Sequence, residues 1–203
     1  NPTGADASVI IEYDNQLYAV FGADLRRRIE GSNGWSSTLG TLVAVPTDAI
    51  VHKSKLYFAC GTDFNRYDGT TLTTGAALGS AQASRYLAEW DSKLYNLDNT
   101  GQMDFTADEG VTWVTDALSN LPTGHFTSLF KYHDGSSPPK VILYMGTKEG
   151  LYQHENSQTS WIETELPLPF HDFNCRGTDW WREWAFITSG MQVYQYQTAS
   201  GGA

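Results

Sequence analysis

Three features of this 203-residue sequence predict an all-β chain built from five copies of one antiparallel unit. A Leu-Tyr strand returns at near-constant spacing, a second marker keeps phase with it, and the residues between them fall into short runs separated by turn formers. The composition agrees. Aromatic residues make up 13% and charged residues 18%, and 19 Gly and 7 Pro supply turns, a balance that suits half-buried pleated surfaces better than helical faces.

The marker opens Leu17-Tyr18-Ala19-Val20-Phe21-Gly22, Leu56-Tyr57-Phe58-Ala59-Cys60-Gly61, Leu94-Tyr95-Asn96-Leu97 and Leu143-Tyr144-Met145-Gly146, and Trp184-Ala185-Phe186-Ile187 is a divergent fifth copy. Successive first residues are 39, 38, 49 and 41 positions apart. Leu39-Gly40, Leu78-Gly79, Leu118-Ser119 and Leu166-Pro167 follow their markers by 22, 22, 24 and 23 residues, so the register does not rest on one dipeptide. The long fourth step contains the polar insert His133-Asp134-Gly135-Ser136-Ser137-Pro138-Pro139-Lys140, read as a lengthened loop. One domain over residues 1–203 is expected, with units near 8–46, 47–84, 85–124, 125–172 and 173–198.

About forty residues accommodate four strands of ~5–6 residues with tight connections. In the first unit these are expected near Ser8 to Tyr13, Gln16 to Phe21, Leu25 to Glu30 and Trp35 to Leu39. Val9-Ile10-Ile11 and Leu17 to Phe21 are apolar on both faces, so each sheet needs cover on both sides. Radially stacked four-stranded sheets supply that cover and leave only short edges, which predicts a five-bladed β-propeller. A fourth strand of the fifth unit would fall about 23 residues after Trp184, past the poor strand formers Thr198 to Ala203. The last blade is therefore expected to have three strands, to borrow one from residues before Ser8, or to belong to a piece of a longer protein. The start at Asn1 without methionine fits a processed chain or a fragment.

Thr106-Ala107-Asp108-Glu109-Gly110-Val111-Thr112-Trp113 resembles the Asp-box, or BNR repeat, Ser/Thr-x-Asp-x-Gly-x-Thr-Trp, at all five defining positions. His154-Glu155-Asn156-Ser157-Gln158-Thr159-Ser160-Trp161 resembles a decayed copy, Trp35 sits at the matching place in the first unit, and Tyr67-Asp68-Gly69-Thr70 forms the second unit's turn. The resemblance implies a turn between the third and fourth strands of a blade, with the carboxylate taking up amides, glycine allowing positive φ and tryptophan packing between sheets. It also implies membership among propellers that include sialidases, lectin-like modules, sorting receptors and photosystem assembly factors.

The formal charge of −10 opposes binding to phosphate backbones or anionic lipid, so no nucleic-acid partner is expected. No apolar run reaches the ~20 residues of a membrane span, and no membrane insertion is expected. Arg26-Arg27-Arg28 is read as a strand edge rather than an anion site, since three successive strand residues cannot share a face. Cys60 and Cys175 lack a Cys-x-x-Cys partner and are read as buried free thiols. Asp98, Asp104, Asp108 and Glu109 could offer oxygen ligands to calcium, but turn formation is the simpler reading. No cofactor or metal is expected.

Sialidases resembling this type use three arginines on a substrate carboxylate, and of the seven arginines here only Arg85 and Arg176 fall near the start of an inner strand. Motifs of metalloproteases, serine hydrolases and phosphate-binding loops are absent from the sequence. Four residues before their markers stand Tyr13, His52, Trp90 and Trp180, with Trp181 beside the last, and Tyr132 stands eleven before its own, ahead of the polar insert. These rings either fill the centre of the fold or stack on sugar rings. At the other end, Thr47, Asp48, Arg85, His125, His171, Asp172 and Asn174 form either a hydrogen-bonding site or a wet rim. The function expected first is a non-catalytic, lectin-like recognition module for glycans or another surface ligand, extracellular or virion-associated, with a phage-like composition. A sialidase-like hydrolase and a protein-docking scaffold are the alternatives.

Overall fold

The structure, a computed structural model, describes residues 4, 6–75, 83–98, 102–115, 125–133, 140–155, 160–181 and 184–197. Leu78-Gly79, Leu118-Ser119, the insert at 134–139, Asn156 to Thr159 of the decayed box, Arg182 and the C-terminal 198–203 lie outside the described residues.

The fold is an all-β five-bladed propeller, with four blades of four antiparallel strands and a last blade of three. Blade one comprises β1 (Ala7–Tyr13), β2 (Gln16–Phe21), β3 (Asp24–Arg27) and β4 (Gly40–Thr41). Blade two comprises β5 (Asp48–His52), β6 (Lys55–Ala59), β7 (Phe64–Tyr67) and β8 (Leu72–Thr74). Blade three comprises β9 (Tyr86–Trp90), β10 (Lys93–Leu97), β11 (Met103–Thr106) and β12 (Val114–Thr115). Blade four comprises β13 (Phe126–His133), β14 (Val141–Thr147), β15 (Leu151–His154) and β16 (Ile162–Glu163). Blade five comprises β17 (Asp179–Trp181), β18 (Trp184–Ser189) and β19 (Gln192–Tyr196).

The Leu-Tyr marker is the start of the second strand in the first four blades. In β6, β10 and β14 it is buried on both faces, which is why both alternating sets are apolar. In the first three blades its distance of four residues from the preceding ring comes from a two-residue hairpin. Tyr13 pairs with Gln16 and His52 with Lys55, and the residues between have positive φ: Asp14 50° and Asn15 57°, Lys53 45° and Ser54 59°, Asp91 49° and Ser92 60°. Two consecutive left-handed residues form the turn whose twist matches that of the strands it joins.

The contacts divide into two compact units. One contains Asn1–Leu87, Lys93–Asp98 and Met103–Thr115; the other contains Ala88–Ser92, Asn99–Gln102 and Asp116–Ala203. In the first, Tyr18, Val20, Leu25, Leu56, Phe58 and Tyr67 form one core cluster. Tyr57, Ala59, Phe64, Leu87 and Leu94 form another, with Trp113 packed against it. In the second, Tyr132, Ile142, Tyr144, Leu151, Ala185 and Ile187 join blade four to blade five. Each fully buried Leu or Ile among them contributes about 1.5–3 kcal/mol.

Two strand boundaries differ from the sequence reading. The third strand of blade one ends at Arg27 rather than Glu30, and the fourth is Gly40–Thr41 rather than Trp35 to Leu39. The intervening chain is held as a loop instead: Arg28 Nη2 donates to Ser32 O at 2.8 Å, Arg26 Nη1 donates to Ser36 O at 2.9 Å, and Arg28 bridges to Trp35. Cys60 and Cys175 are free and buried, and burial pushes their thiols up to about 11 and about 12.

Candidate ligand-binding surface

Four of the six predicted rings are part of the packing. The Tyr13 hydroxyl donates to Ser54 O at 2.9 Å, and its ring lies 5.6 Å from Tyr18. His52 is buried beside Tyr57 at 6.0 Å. Trp90 meets His154 edge-on at 5.1 Å while its Nε1 donates to Val141 O at 2.9 Å, and Tyr132 lies 6.2 Å from Tyr144. Trp180 and Trp181 are different, with 47% and 62% of their surface exposed. Adjacent in β17, they point to opposite faces of the sheet, so they do not form one platform.

The turn between β11 and β12 is held by its own side chains. Asp108 Oδ1 accepts from the amide and Oδ2 from the hydroxyl of Thr112, while Thr106 Oγ1 donates to Asp108 Oδ1 at 2.8 Å and accepts from Gly110 N at 2.9 Å. These bonds, those from Thr112 foremost, hold Asp108 at about 2. Glu109 and Gly110 have φ of 64° and 88°, and Trp113 stands edge-on to Phe64 at 4.9 Å. Lys55 pairs with Glu109, and Arg66 donates to Glu109 O. Asp68 plays the same part between β7 and β8, accepting from Thr70 N at 2.9 Å and Thr71 N at 2.8 Å. The acids of these two turns are thus spent on local structure.

The polar set predicted at the other end divides between the two units. In the first, Asp48 accepts amides from Ala49 and Leu87, and Thr47 Oγ1 donates to Arg85 O at 2.8 Å. In the second, the connection from β16 to β17 carries His171, Asp172 and Asn174 on one ordered loop. Asn174 is fully buried and anchors it: Nδ2 donates to Lys148 O and Pro169 O, both at 2.9 Å, and Oδ1 accepts from Ser189 Oγ at 2.7 Å. The His171 amide donates to Lys148 O, His171 Nδ1 accepts from Phe173 N, and the Cys175 amide donates to Thr188 O. Cys175 has φ of 60°, an uncommon conformation for a side-chain-bearing residue that the surrounding bonds impose.

This anchored loop presents apolar rings to solvent. Phe170 is 65% and Phe173 55% exposed, with the Arg176 guanidinium 4.9 Å from the Phe173 ring and Lys148 Nζ 6.0 Å from that of Phe170. Lys148 also pairs with Asp172 at 2.6 Å, which lowers the Asp172 carboxyl. Two exposed rings, the Arg176 cation, a carboxylate and an imidazole on an anchored loop, with Lys148 beside them from the turn between β14 and β15, can stack on an apolar face and hydrogen-bond the polar groups around it. His171, Asp172 and Asn174 stood out in the sequence, Arg176 was considered only for a sialidase-type clamp, and Phe170, Phe173 and Lys148 were not singled out. The available signal was Leu166-Pro167-Leu168-Pro169-Phe170, an apolar run that two prolines exclude from a central strand.

A five-bladed all-β architecture with aromatic residues on a connecting loop defines a propeller-type domain. The chain belongs to the DUF6242 β-propeller family, whose profile matches residues 1–200. Among curated proteins no sequence matches it. Its fold is similar to the extracellular domain of a hybrid two-component system from B. thetaiotaomicron, at a TM-score of 0.71 and 13% identity over 97% of this chain and 27% of that one. It is also similar to YCF48 bound to a D1 peptide, at 0.66 and 13% over 98% and 67%. The N-terminal domain of Nup159 gives 0.61 and 12% over 95% and 60%. At these identities the likeness establishes the fold alone, and the chain spans about a quarter of the length of the first of these proteins.

Proposed function

We propose that this chain is a non-catalytic recognition domain that works outside the cytoplasm, on a cell surface or a surface appendage, and binds a glycan through the loop from Thr164 to Thr178. The observation that carries the reading is Asn174. A fully buried amide spends three hydrogen bonds on holding a loop whose large side chains, Phe170 and Phe173, face water. Exposing rings on a rigid support does nothing for the core, but it lowers the entropy lost when a ligand docks. Trp180, half-exposed on β17, is a further ring available to a sugar. The Asp-box-like turns of Asp68 and Asp108 serve as braces in this reading. A hydrolase reading draws less support, because Arg26 and Arg28 hold carbonyls of their own loop and Arg66 that of Glu109.

A protein or peptide ligand is the second reading. It is favoured by the likeness to YCF48, a propeller that has been seen with a bound peptide. Glycan and peptide arrays probed with the same protein separate the two. A saturable glycan signal, lost in the Phe170→Ala/Phe173→Ala double variant with an unchanged circular dichroism spectrum, supports the proposal. Flat glycan signals together with a peptide signal that the double variant abolishes would transfer the loop to a protein partner. Binding that survives the double variant would remove the loop from consideration.

A further inference from the structure

The connection between β3 and β4 of blade one occupies the place that the Asp108 turn fills in blade three, and other groups hold it. Arg28 Nη2 donates to Ser32 O, while the Ile29 amide and Arg28 Nη1 donate to Gly34 O at 3.1 Å and 3.4 Å. Trp35, the next residue, stands edge-on to Phe21 at 5.2 Å with the Arg28 guanidinium 5.8 Å from its ring. All of these residues belong to the first compact unit. Gly34 itself is required by neither backbone nor space. It lies outside the left-handed region that Gly31 and Gly69 occupy at φ of 69° and 98°, and a Cβ on it would meet only Ser32 Oγ at 3.4 Å and Ile29 Cδ1 at 3.9 Å. What the absent Cβ does is leave the Gly34 nitrogen open to the side chain before it. That side chain is Asn33, which is exposed and takes no part in the bonds that hold the loop.

We propose that Asn33-Gly34 is a site of spontaneous covalent modification, at which the Asn33 amide is lost through a cyclic imide. The inference lies beyond the glycan reading and concerns a different loop. The Gly34 nitrogen attacks Asn33 Cγ, its proton leaves with the side-chain nitrogen as ammonia, and water then opens the imide at either carbonyl. One product is aspartate. The other is isoaspartate, whose main chain runs through Cβ and is one carbon longer between residues 33 and 34. That extra carbon displaces Gly34 O from the Ile29 amide or Trp35 from Phe21, so ageing loosens blade one at this loop. The structure separates this pair from Asp68-Gly69, the like pair in blade two. Ring closure at an aspartate needs a neutral carboxyl, and bonds from Thr71 N and Thr70 N hold the Asp68 carboxyl down at about 2. Asn33 carries no such brace. Asp134-Gly135, a further pair of this kind in the sequence, lies outside the described residues.

Ageing the folded 203-residue chain in mildly alkaline buffer, followed by mass spectrometry of its tryptic peptides, tests this. The peptide Ile29–Lys53 contains Asn33 as its only amide side chain. It is expected to gain the mass that separates an acid from an amide and to split into two chromatographic forms. Gly34→Ala, which the open space at residue 34 accommodates, is expected to keep an unchanged circular dichroism spectrum and to lose both products. In the aged wild type, hydrogen exchange at the Ile29 amide is expected to quicken, while that of Leu42, bonded to Ala23 O, stays slow. An unmodified peptide from the folded chain, after a time that converts the same chain in urea, overturns the proposal and makes the loop a protected one. Equal conversion in wild type and Gly34→Ala overturns it as well, because the open nitrogen of Gly34 then plays no part.

Discussion

Asp48 and Leu87 are joined across two blades: Asp48 Oδ2 accepts the Leu87 amide at 2.8 Å while Oδ1 accepts its neighbour Ala49 at 2.8 Å. The carboxylate thus sits at the start of β5 and reaches the second residue of β9, a bond between strands of two blades. Burial outweighs the two amide bonds and pushes the Asp48 carboxyl up to about 6.

This raised value sets a pH dependence of definite sign. The folded value exceeds the unfolded 3.8, so Asp48 favours folding most when protonated, and its contribution falls as pH rises from about 4 through about 6. A carboxyl raised from 3.8 to about 6 corresponds to roughly 3 kcal/mol at most, and to less where the half-buried side chain is screened. Asp48→Asn is expected to abolish this slope. Urea unfolding at pH 4.5 and 7 should give a smaller gain on acidification in the variant than in wild type; equal slopes would show that Asp48 is solvated.

Asp108 has the opposite sign. Its value near 2 lies below that of the unfolded chain, so its contribution is complete above about 4 and is lost as pH falls towards 2. The turn is exposed, and Asp108→Ala is expected to cost on the order of 1 kcal/mol, the net worth of its bonds to Thr106 and Thr112. The same variant frees Trp113 to shift against Phe64, so near-ultraviolet circular dichroism should change with the melting temperature. A fall in stability with an unchanged tryptophan signal would separate the turn from the ring.

The repeat was legible because the second strand of a blade is covered on both sides and leaves the same apolar imprint each time, as at Leu56-Tyr57 and Leu94-Tyr95. The fourth strands were not. Gly40–Thr41, Val114–Thr115 and Ile162–Glu163 are two residues each, and backbone pairing to the third strand demands no particular side chain. Sequence placed a ring at the end of each inner strand, but whether it is buried depends on the neighbouring blade. Trp90 meets His154 of the next blade, whereas Trp180 stays half-exposed. The loop at Asn174 was half legible, because its polar residues stood out while its anchors, Lys148 O and Ser189 Oγ, lie 26 and 15 residues away in sequence.

Gly146 and Cys175 form a close contact that fixes both. A Cβ on Gly146 would stand 2.5 Å from Ser128 Oγ, 2.6 Å from Cys175 Cβ and 2.9 Å from Thr127 Oγ1. Gly146→Ala therefore overpacks β14 and is expected to cost about 1–3 kcal/mol. Cys175→Gly removes one clashing atom and suits the positive φ, so the double variant is expected to lose less stability than the two single losses added together. Thermal denaturation of the four-member cycle measures the coupling. Strict additivity would mean that the strand shifts away without touching Cys175.

Asn174→Ala is the strongest single probe of the candidate surface. It removes one of the two donors to Lys148 O, which keeps the His171 amide, and takes this partner from Pro169 O and from the buried Ser189 hydroxyl, which costs about 1–3 kcal/mol. The loop from Pro169 to Arg176 is expected to loosen before the sheets do, since the cluster of Tyr132, Tyr144 and Ile187 does not involve the amide. Hydrogen exchange should then quicken at His171, Asn174 and Cys175, whose amides are bonded in the native loop, while β14 and β18 stay protected. Ligand affinity should fall in proportion, because Phe170 and Phe173 would have to be ordered at the moment of binding. If exchange quickens throughout blade five instead, Asn174 holds the blade and not the loop, and the binding surface would have to be sought at Trp180.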